Sequence, residues 1–330
     1  MNSFGRLFRI SIFGESHGDC VGITLDGCPA GLSLSAEDMA ADLERRKGGK
    51  QKGTTPRQED DIPKILSGVF NGKTTGFPIT SLFENKNIRS EDYMAQRSIP
   101  RPGHADWVAH QKFGGHEDYR GGGHFSARLT AGLVAAGAIA KKLMNGISIR
   151  AEVTEVGGEK DIEKGLQRAI DAKDSVGGIL ECRVSGLPVG LGEPYFDSLE
   201  SSLSHILFAI PAVRGVEFGT GFAAARMFGS EHNDAITEMD GTTRSNHAGG
   251  VVGGISNGNE LVFRLAVKPT SSTPRIQNSL NWDTGKTEDF SVKGRHDLCV
   301  ALRAPVIVEA VTAIALADFM LLHQQIKKTI

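Results

Sequence analysis

Hydrophobic and polar positions alternate near the start of the chain. In residues 7–13, the apolar side chains of Phe8, Ile10 and Ile12 share one side and two polar residues lie on the other, which is the period of a half-buried β-strand. This segment leads directly into GESHG at residues 14–18. The pattern therefore predicts a strand that ends in a glycine-flanked loop.

Two segments after the first strand have the residue pattern of helices. Ser35 and Asp38 resemble a capping box, and apolar residues recur at helical spacing until the basic residues before Gly48 close the helix. Residues 126–144 are rich in Ala and Leu and apolar on nearly all sides. They predict a buried helix that packs on more than one face, with Ser126 as its N-cap.

Strands and helices are mixed in the rest of the chain. The pattern predicts strands at 147–153 and 178–186, helices near 161–172 and 197–209, two strands flanking 253–258, and an apolar C-terminal helix. No linker divides the chain, which favours one α+β domain over residues 1–330, with sheets packed around central helices. The polar stretches 46–62 and 86–125 are predicted to be mobile loops of the functional kind.

The composition of the chain argues against several classes of protein. A hydrophobic content of 39% in 330 residues supports a sizeable core, and the net charge of −2 gives no global attraction to nucleic acid or acidic membranes. Four cysteines without a CxxC pair, and no signal-peptide pattern, indicate a reducing cytoplasm. The apolar run 306–322 carries Glu309 and Asp318, so it predicts a core helix and not a membrane anchor.

A dense group of cations lies between residues 45 and 57. Its members are Arg45, Arg46, Lys47, Lys50, Lys52 and Arg57. A phosphate charge gains roughly 4 kcal/mol from each cation at 4 Å and an effective dielectric constant near 20. The group is therefore either an anion site or a solvated helix end, and it lacks the interleaved aromatic residues that RNA binding uses.

Histidines stand in glycine-rich surroundings. His17 in GESHG and His104 in RPGHAD are candidates for acid–base chemistry near neutral pH, and solvated loop histidines are the alternative. His104 is also close in sequence to three further histidines, but none of the four shows HExxH spacing or a Cys partner, so no metal site is predicted.

Glycine is over-represented, at 41 residues, against a usual share of about 7%. The glycines of YRGGGHFSAR precede Ser126, and backbone N–H groups at a helix start make a seat for an anion or a planar ring. GGVVGGISNG and KPTSS add further donors. In KGRHD, adjacent strand residues would point oppositely, so only one of His296 and Asp297 need face the same pocket.

Eight segments in matching order resemble the chorismate synthase family over almost the entire chain. They are FGESHG, DLERRKGG, ILSGVFNGKTTGFPI, RPGHAD, YRGGG.FSAR, SNHAGGVVGGISNG, KPTSS and KGRHDLCVALRA. The resemblance implies a β-α-β sandwich and a lyase that converts 5-enolpyruvylshikimate 3-phosphate to chorismate and phosphate by anti-1,4-elimination. It also implies a need for reduced FMN without net redox change, an external flavin reductant, a cytoplasmic location and a homotetramer.

The same resemblance implies roles for individual residues. His17 would protonate the departing phosphate, His104 would lie beside the reduced flavin, and Asp297 would assist deprotonation at C6. Arg46, Arg128 and Arg303 would surround the substrate's anionic groups, and Arg46 with Lys52 would form an NADP or anion contact. The implied FMN-binding residues are Ser126, Ala212, Gly253, Lys268, Pro269, Thr270, Ser271, Ser272 and Arg295.

The sequence departs from the family pattern at several of these positions. His124, Phe125 and Leu129 replace an arginine, a serine and a glutamate, while Pro211 and Lys52 stand where asparagine and arginine are common. The stretch between residues 150 and 178 is also short.

Two other function classes remain open. An FMN-binding redox protein would need a nicotinamide site, and no GxGxxG follows a strand. A non-catalytic anion or RNA binder would use residues 45–57.

Overall fold

The computed structural model describes residues 2–49, 52–57, 59–88, 97–292 and 296–325. Its first antiparallel sheet has the strand order β1-β2-β3-β7-β4. These strands are β1 Ser3–Phe4, β2 Arg9–Gly14, β3 Cys20–Asp26, β4 Lys64–Ile65 and β7 Ile79–Glu84, and a separate hairpin pairs β5 Val69–Phe70 with β6 Lys73–Thr74.

A second antiparallel sheet has the order β10-β13-β9-β8. Its strands are β8 Ser148–Val156, β9 Gly178–Ser185, β10 Val213–Phe218 and β13 Leu261–Val267. Two hairpins complete the strands: β11 Val251–Val252 with β12 Ile255–Ser256, and β14 Gln277–Asn281 with β15 Lys286–Phe290.

Two apolar helices lie between the sheets. The helices in the described part of the chain are α1 Glu37–Arg46, α2 Asp106–Phe113, α3 Thr130–Leu143, α4 Ile162–Ala172, α5 Leu199–Leu207, α6 Gly229–His232 and α7 Pro305–Gln325. Helix α3 packs on β3 and β7, α7 packs on β8 and β9, and the two helices pack against each other. The predicted α+β fold with sheets around central helices is therefore confirmed.

Helix α7 is long and apolar enough, by length and composition, to cross a membrane. However, 78% of its apolar window is buried inside the protein. Packing against α3, β8 and α5 accounts for this apolar surface, as predicted for a core helix.

Two sequence predictions need correction. The helix predicted from residue 126 begins at Thr130, because Ser126 caps a 3₁₀ turn at Ala127–Leu129 by accepting a hydrogen bond from the Arg128 N–H. The loop predicted at 86–125 contains α2, which lacks an apolar stripe since Ala109 is its one buried residue. Trp282, in the β14–β15 hairpin, instead holds α2 by stacking on His110 with ring centroids 4.7 Å apart.

Close contact between α3 and α7 leads to the first prediction. A Cβ at Gly137 would lie 2.4 Å from the Cα and Cβ of Ala310. We expect Gly137→Ala to lower the free energy of unfolding by about 1–3 kcal/mol through overpacking. Gly229→Ala is the control, because no heavy atom lies within 4 Å of a Cβ there. Urea denaturation measures both variants, and an unchanged midpoint for Gly137→Ala would contradict this packing.

Candidate active site

A cavity of about 560 Å³ gathers segments that are far apart in the sequence. It contains all three residues expected to be catalytic, His17, His104 and Asp297, together with the expected substrate ligands Arg46, Arg128 and Arg303. Of the expected FMN contacts, those that line the same cavity are Ser126, Ala212, Lys268, Pro269, Thr270, Ser271 and Ser272.

Positive charge exceeds negative charge around this cavity. The cations that line it are Arg46, Lys47, Arg57, Arg101, Arg128, Arg214, Lys268 and Arg303, against the carboxylates Glu59, Asp61 and Asp297. A concave surface with this excess attracts anions even though the whole chain is nearly neutral.

Two buried guanidinium groups share one buried carboxylate. Arg46 Nη1 donates to Asp61 Oδ2 at 2.8 Å and Arg128 Nη1 donates to Asp61 Oδ1. The side chains are 4%, 4% and 1% exposed for Arg46, Arg128 and Asp61. Burial lowers the pKa of Arg46 to about 9, although the charge of Asp61 opposes this shift. Arg46 therefore remains charged at neutral pH, and the group keeps a net positive charge.

Arg46 has most of its donors occupied within the protein. Its Nε donates to Thr130 Oγ1 at 3.0 Å, and its Nη2 donates to the carbonyl groups of Ala127 and Arg128. Arg128 similarly donates to Asn85 Oδ1 at 2.9 Å. These two arginines therefore contribute mainly charge and shape to the cavity wall. Few of their N–H groups are left to donate hydrogen bonds to a ligand.

Arg303 and Asp297 form a second ion pair at the cavity. Arg303 Nη1 donates to Asp297 Oδ2 at 3.0 Å, and the Thr55 N–H donates to Asp297 Oδ1 at 2.8 Å. Arg303 Nε donates to the Arg46 carbonyl at 3.1 Å. The pair fixes the position of the Asp297 carboxylate. His296 lines the cavity as well, and neither residue lies in a strand.

Two of the three glycines of YRGGG pack against the candidate acid–base histidines. Gly121, Gly122 and Gly123 have φ values of 59°, 82° and 51°, a left-handed region that favours glycine. A Cβ at Gly121 would lie 2.6 Å from the His17 ring, and one at Gly122 would lie 3.3 Å from the His104 ring. Gly121 and Gly122 therefore pack directly beside two imidazoles, and the use of this turn as a seat for an anion or a planar ring stays a prediction.

Two hydrogen bonds fasten this glycine turn to the His17 loop. The Ser16 N–H donates to the Gly123 carbonyl at 3.0 Å. His124 Nδ1 donates to the Gly14 carbonyl at 2.8 Å. The histidine at the position where the family commonly has arginine thus anchors the end of β2.

His104 lies in a group of buried charges. Its Nδ1 is 2.6 Å from Asp106 Oδ1, and Arg101 Nε donates to Asp106 Oδ2 at 2.7 Å. Burial lowers the pKa of His104, Asp106 opposes the shift, and Arg101 and Lys268 add to it. Burial favours the neutral form of Asp106, but its hydrogen bonds from Arg101 and His104 hold its pKa well below the usual range.

The KPTSS segment is bonded to the RPGHAD segment. Lys268 Nζ and Ser271 Oγ donate to the Gly103 carbonyl at 2.5 and 2.9 Å. Arg101 Nη1 donates to Ser272 Oγ at 3.3 Å. The residues expected to bind FMN therefore also hold the loop that carries His104.

Two expected site residues, Gly253 and Lys52, do not line the cavity. Gly253 lies in the exposed turn of the β11–β12 hairpin, and Lys52 Nζ donates to Gln167 Oε1 at 3.0 Å outside the cavity wall. Arg295 lies outside the described residues. The structure thus does not bring Lys52 to the cavity beside Arg46.

Sequence reasoning missed two carboxylates that organise the site. Asp61 follows two other acids and carries no motif of its own, so nothing local marks it as the partner of two arginines. Asp106 stands in RPGHAD two residues after His104, and that spacing is the signal that could have identified it.

The shared carboxylate leads to the second prediction. Asp61→Asn leaves two buried guanidinium groups without a counter-charge, so we expect a loss of about 3–5 kcal/mol in the free energy of unfolding. Asp60→Asn is the control, since its side chain is 65% exposed and pairs with Lys86 at 3.5 Å; there we expect a change below about 0.5 kcal/mol. Equal denaturation midpoints for the two variants would contradict the shared-carboxylate interpretation.

Comparison with known proteins identifies the family of this chain. The sequence model of the chorismate synthase family matches residues 8–321. A chorismate synthase of Chitinophaga pinensis is 67% identical over 326 residues, covering 98% of each chain, and one of Dehalococcoides mccartyi is 47% identical over 351 residues, covering 97% of this chain and 96% of the relative. A crystal structure of a chorismate synthase matches with a TM-score of 0.73 and 28% identity over 97% of this chain and 93% of that one. On these grounds, this chain belongs to the chorismate synthase family of lyases.

Proposed function

We propose that this chain converts 5-enolpyruvylshikimate 3-phosphate to chorismate and phosphate by anti-1,4-elimination, with reduced FMN required and no net redox change. The observation that carries the proposal is one cavity that holds His17, His104 and Asp297 inside a ring of cations. Such a pocket stabilises an anionic leaving group where it forms.

Departure of phosphate would occur beside His17. The side chain of His17 is buried next to the glycine turn, so its ring has little freedom to move. Arg57 lies close by, because its Nη1 donates to Ser16 Oγ at 3.1 Å. His17 would donate a proton to the phosphate oxygen while Arg57 and the buried arginines stabilise the charge.

Removal of the C6 proton would involve Asp297. Its carboxylate is held by Arg303 and by the Thr55 N–H, so it is oriented before substrate binds. A fixed acceptor in a cation-lined site needs little reorganisation to take up a proton. Arg303 would also attract a substrate carboxylate.

The residues present fit reduced FMN. Apolar side chains line part of the cavity and suit a planar ring, namely Ile12, Phe125, Leu129, Leu133, Ile210, Pro211 and Ala212. Lys268 and the Ser272 hydroxyl provide donors for a phosphate, and the buried Thr270 hydroxyl has no hydrogen-bond partner among the described residues. When bound, reduced FMN supplies electron density to the allylic system as the phosphate leaves.

Two departures from the family pattern bear on FMN binding. The His124 side chain is already bonded to Gly14, and the Phe125 ring is 42% exposed. We propose that position 124 contacts the flavin through backbone atoms. Leu129 and Pro211 add apolar surface to the cavity.

We also propose a cytoplasmic homotetramer that obtains reduced flavin from an external reductant. The described residues contain four free cysteines, of which three are buried, as suits a reducing compartment. Large apolar side chains are strongly exposed on one protomer, including Tyr195, Phe196, Phe222, Phe228 and Met239. Exposed apolar surface of this extent is typical of subunit interfaces.

One assay separates this proposal from its alternatives. The protein is incubated anaerobically with the phosphorylated enolpyruvyl substrate and chemically reduced FMN, and diene absorbance and phosphate are measured. Product with reduced but not oxidised flavin supports the lyase. NADPH consumption without phosphate release would support a redox protein. Salt-sensitive RNA binding, with neither lyase product nor NADPH consumption, would support an RNA binder.

The third prediction concerns the two histidines. His17→Ala and His104→Ala should each lower kcat by about a hundredfold or more, the usual scale of general acid–base catalysis. His205→Ala is the control, because His205 is exposed on α5 outside the cavity. Full activity in either test variant would remove that histidine from the mechanism.

The fourth prediction concerns the glycine turn. Gly121→Ala should lower kcat by about tenfold or more. The new Cβ would lie only 2.6 Å from the His17 ring and would push the ring aside, and small misplacements of reacting groups are costly. Gly146→Ala is the control, because Gly146 also has a positive φ but has no atom within 4 Å of a Cβ. Equal kcat values for the two variants would show that the turn does not position His17.

A further inference from the structure

We propose that Asp106 is a positioning residue for His104: its carboxylate, held by Arg101, keeps the proton on His104 Nδ1 and leaves Nε2 as the ring's only proton acceptor. The inference rests on the proposed function, because it specifies how one of the two candidate acid–base groups is prepared.

The contact between His104 and Asp106 fixes the tautomer. His104 Nδ1 is 2.6 Å from Asp106 Oδ1. An ionised carboxylate can only accept a hydrogen bond, so the proton in this contact belongs to Nδ1. Asp106 is the first residue of α2, which places its carboxylate on a regular element and not on a free loop.

Arg101 fixes the carboxylate in turn. Its Nε donates to Asp106 Oδ2 at 2.7 Å, its Nη2 donates to Oδ1 at 2.8 Å, and its backbone N–H donates to Oδ2 at 3.0 Å. This fork leaves the carboxylate little freedom to rotate. Arg101 Nη2 also lies 3.1 Å from His104 Nδ1. The positive charge of Arg101 at this distance disfavours a positively charged ring and lowers the pKa of His104.

The other side of the ring is also confined. A Cβ at Gly122 would lie 3.4 Å from His104 Nε2. The charged groups that act on the ring are Asp106 and Arg101 from the start of α2 and the preceding loop, and Lys268 from the segment after β13. A pocket of about 50 Å³ next to His104 adds Arg97, Glu117 and Asp118.

These groups together favour the neutral ring at pH 7. Burial lowers the pKa of His104, and Arg101 and Lys268 lower it further, while Asp106 raises it. Asp106 and Arg101 therefore have opposite effects on protonation although they form one ion pair.

The test measures His104 directly in flavin-free protein. Histidines are labelled with ¹⁵N, the His104 signals are assigned by their loss in His104→Ala, and the spectra are followed against pH. We expect a neutral ring protonated at Nδ1. Asp106→Asn should move the titration midpoint to lower pH, and Arg101→Gln should move it to higher pH. A neutral ring protonated at Nε2, no shift in either variant, or shifts in the same direction would overturn the proposal.

Kinetics provide a second measurement. Asp106→Asn should lower kcat by about 10–100-fold, with the KM for substrate changed less than about twofold. The matched control is Asp197→Asn, which breaks the exposed ion pair with Arg6 and should leave kcat unchanged. A raised KM with unchanged kcat in Asp106→Asn would overturn the positioning role.

Failure of this inference and failure of the proposed function give different results. Full activity in His104→Ala would remove His104 from catalysis, but it would not change the tautomer of His104 that NMR measures. An Nε2-protonated ring in an active enzyme would reject the role of Asp106 and leave the lyase proposal intact.

Discussion

Arg46 and Arg128 share the carboxylate of Asp61 where helix α1 ends against the turn before α3. One negative charge for two buried positive charges leaves an excess at the cavity wall that water cannot screen. The same group joins three segments, since Arg128 also donates to the carbonyl of Glu84 at the end of β7. The group therefore contributes both to the wall of the cavity and to its attraction for anions.

The sandwich fold supplies the rigid support for this charge. Helices α3 and α7 approach closely at Gly137 and Ala310, so the turn that precedes α3 is anchored to the core. That turn carries Arg128, and the glycine turn just before it packs against His17 and His104. Charge and acid–base groups are thus held by consecutive residues of one segment, which accounts for the density of polar and glycine residues between positions 101 and 128.

Much of this arrangement could be predicted from the sequence. Periodicity identified strand β2, the buried helix and the C-terminal core helix, because burial imposes a regular pattern on local sequence. Helix α2 was missed because aromatic stacking on Trp282, distant in sequence, holds it. Asp61 was missed for a similar reason: a charge pair between Asp61 and Arg128 spans 67 positions and leaves no local pattern. Glycine-rich surroundings made His17 and His104 candidates for acid–base chemistry, and the family resemblance implied their individual roles. Their packing against glycine depends on left-handed φ values that residue type alone does not show.

The most direct test of the account is a crystal structure of the protein with the phosphorylated substrate and reduced FMN bound under anaerobic conditions. The account predicts both molecules in the one cavity, with the substrate phosphate in hydrogen-bond contact with His17 and Arg57 and the flavin against Ala212 and residues 268–272. Binding of the two molecules at separate places, or a phosphate remote from His17 and the arginines, would contradict it.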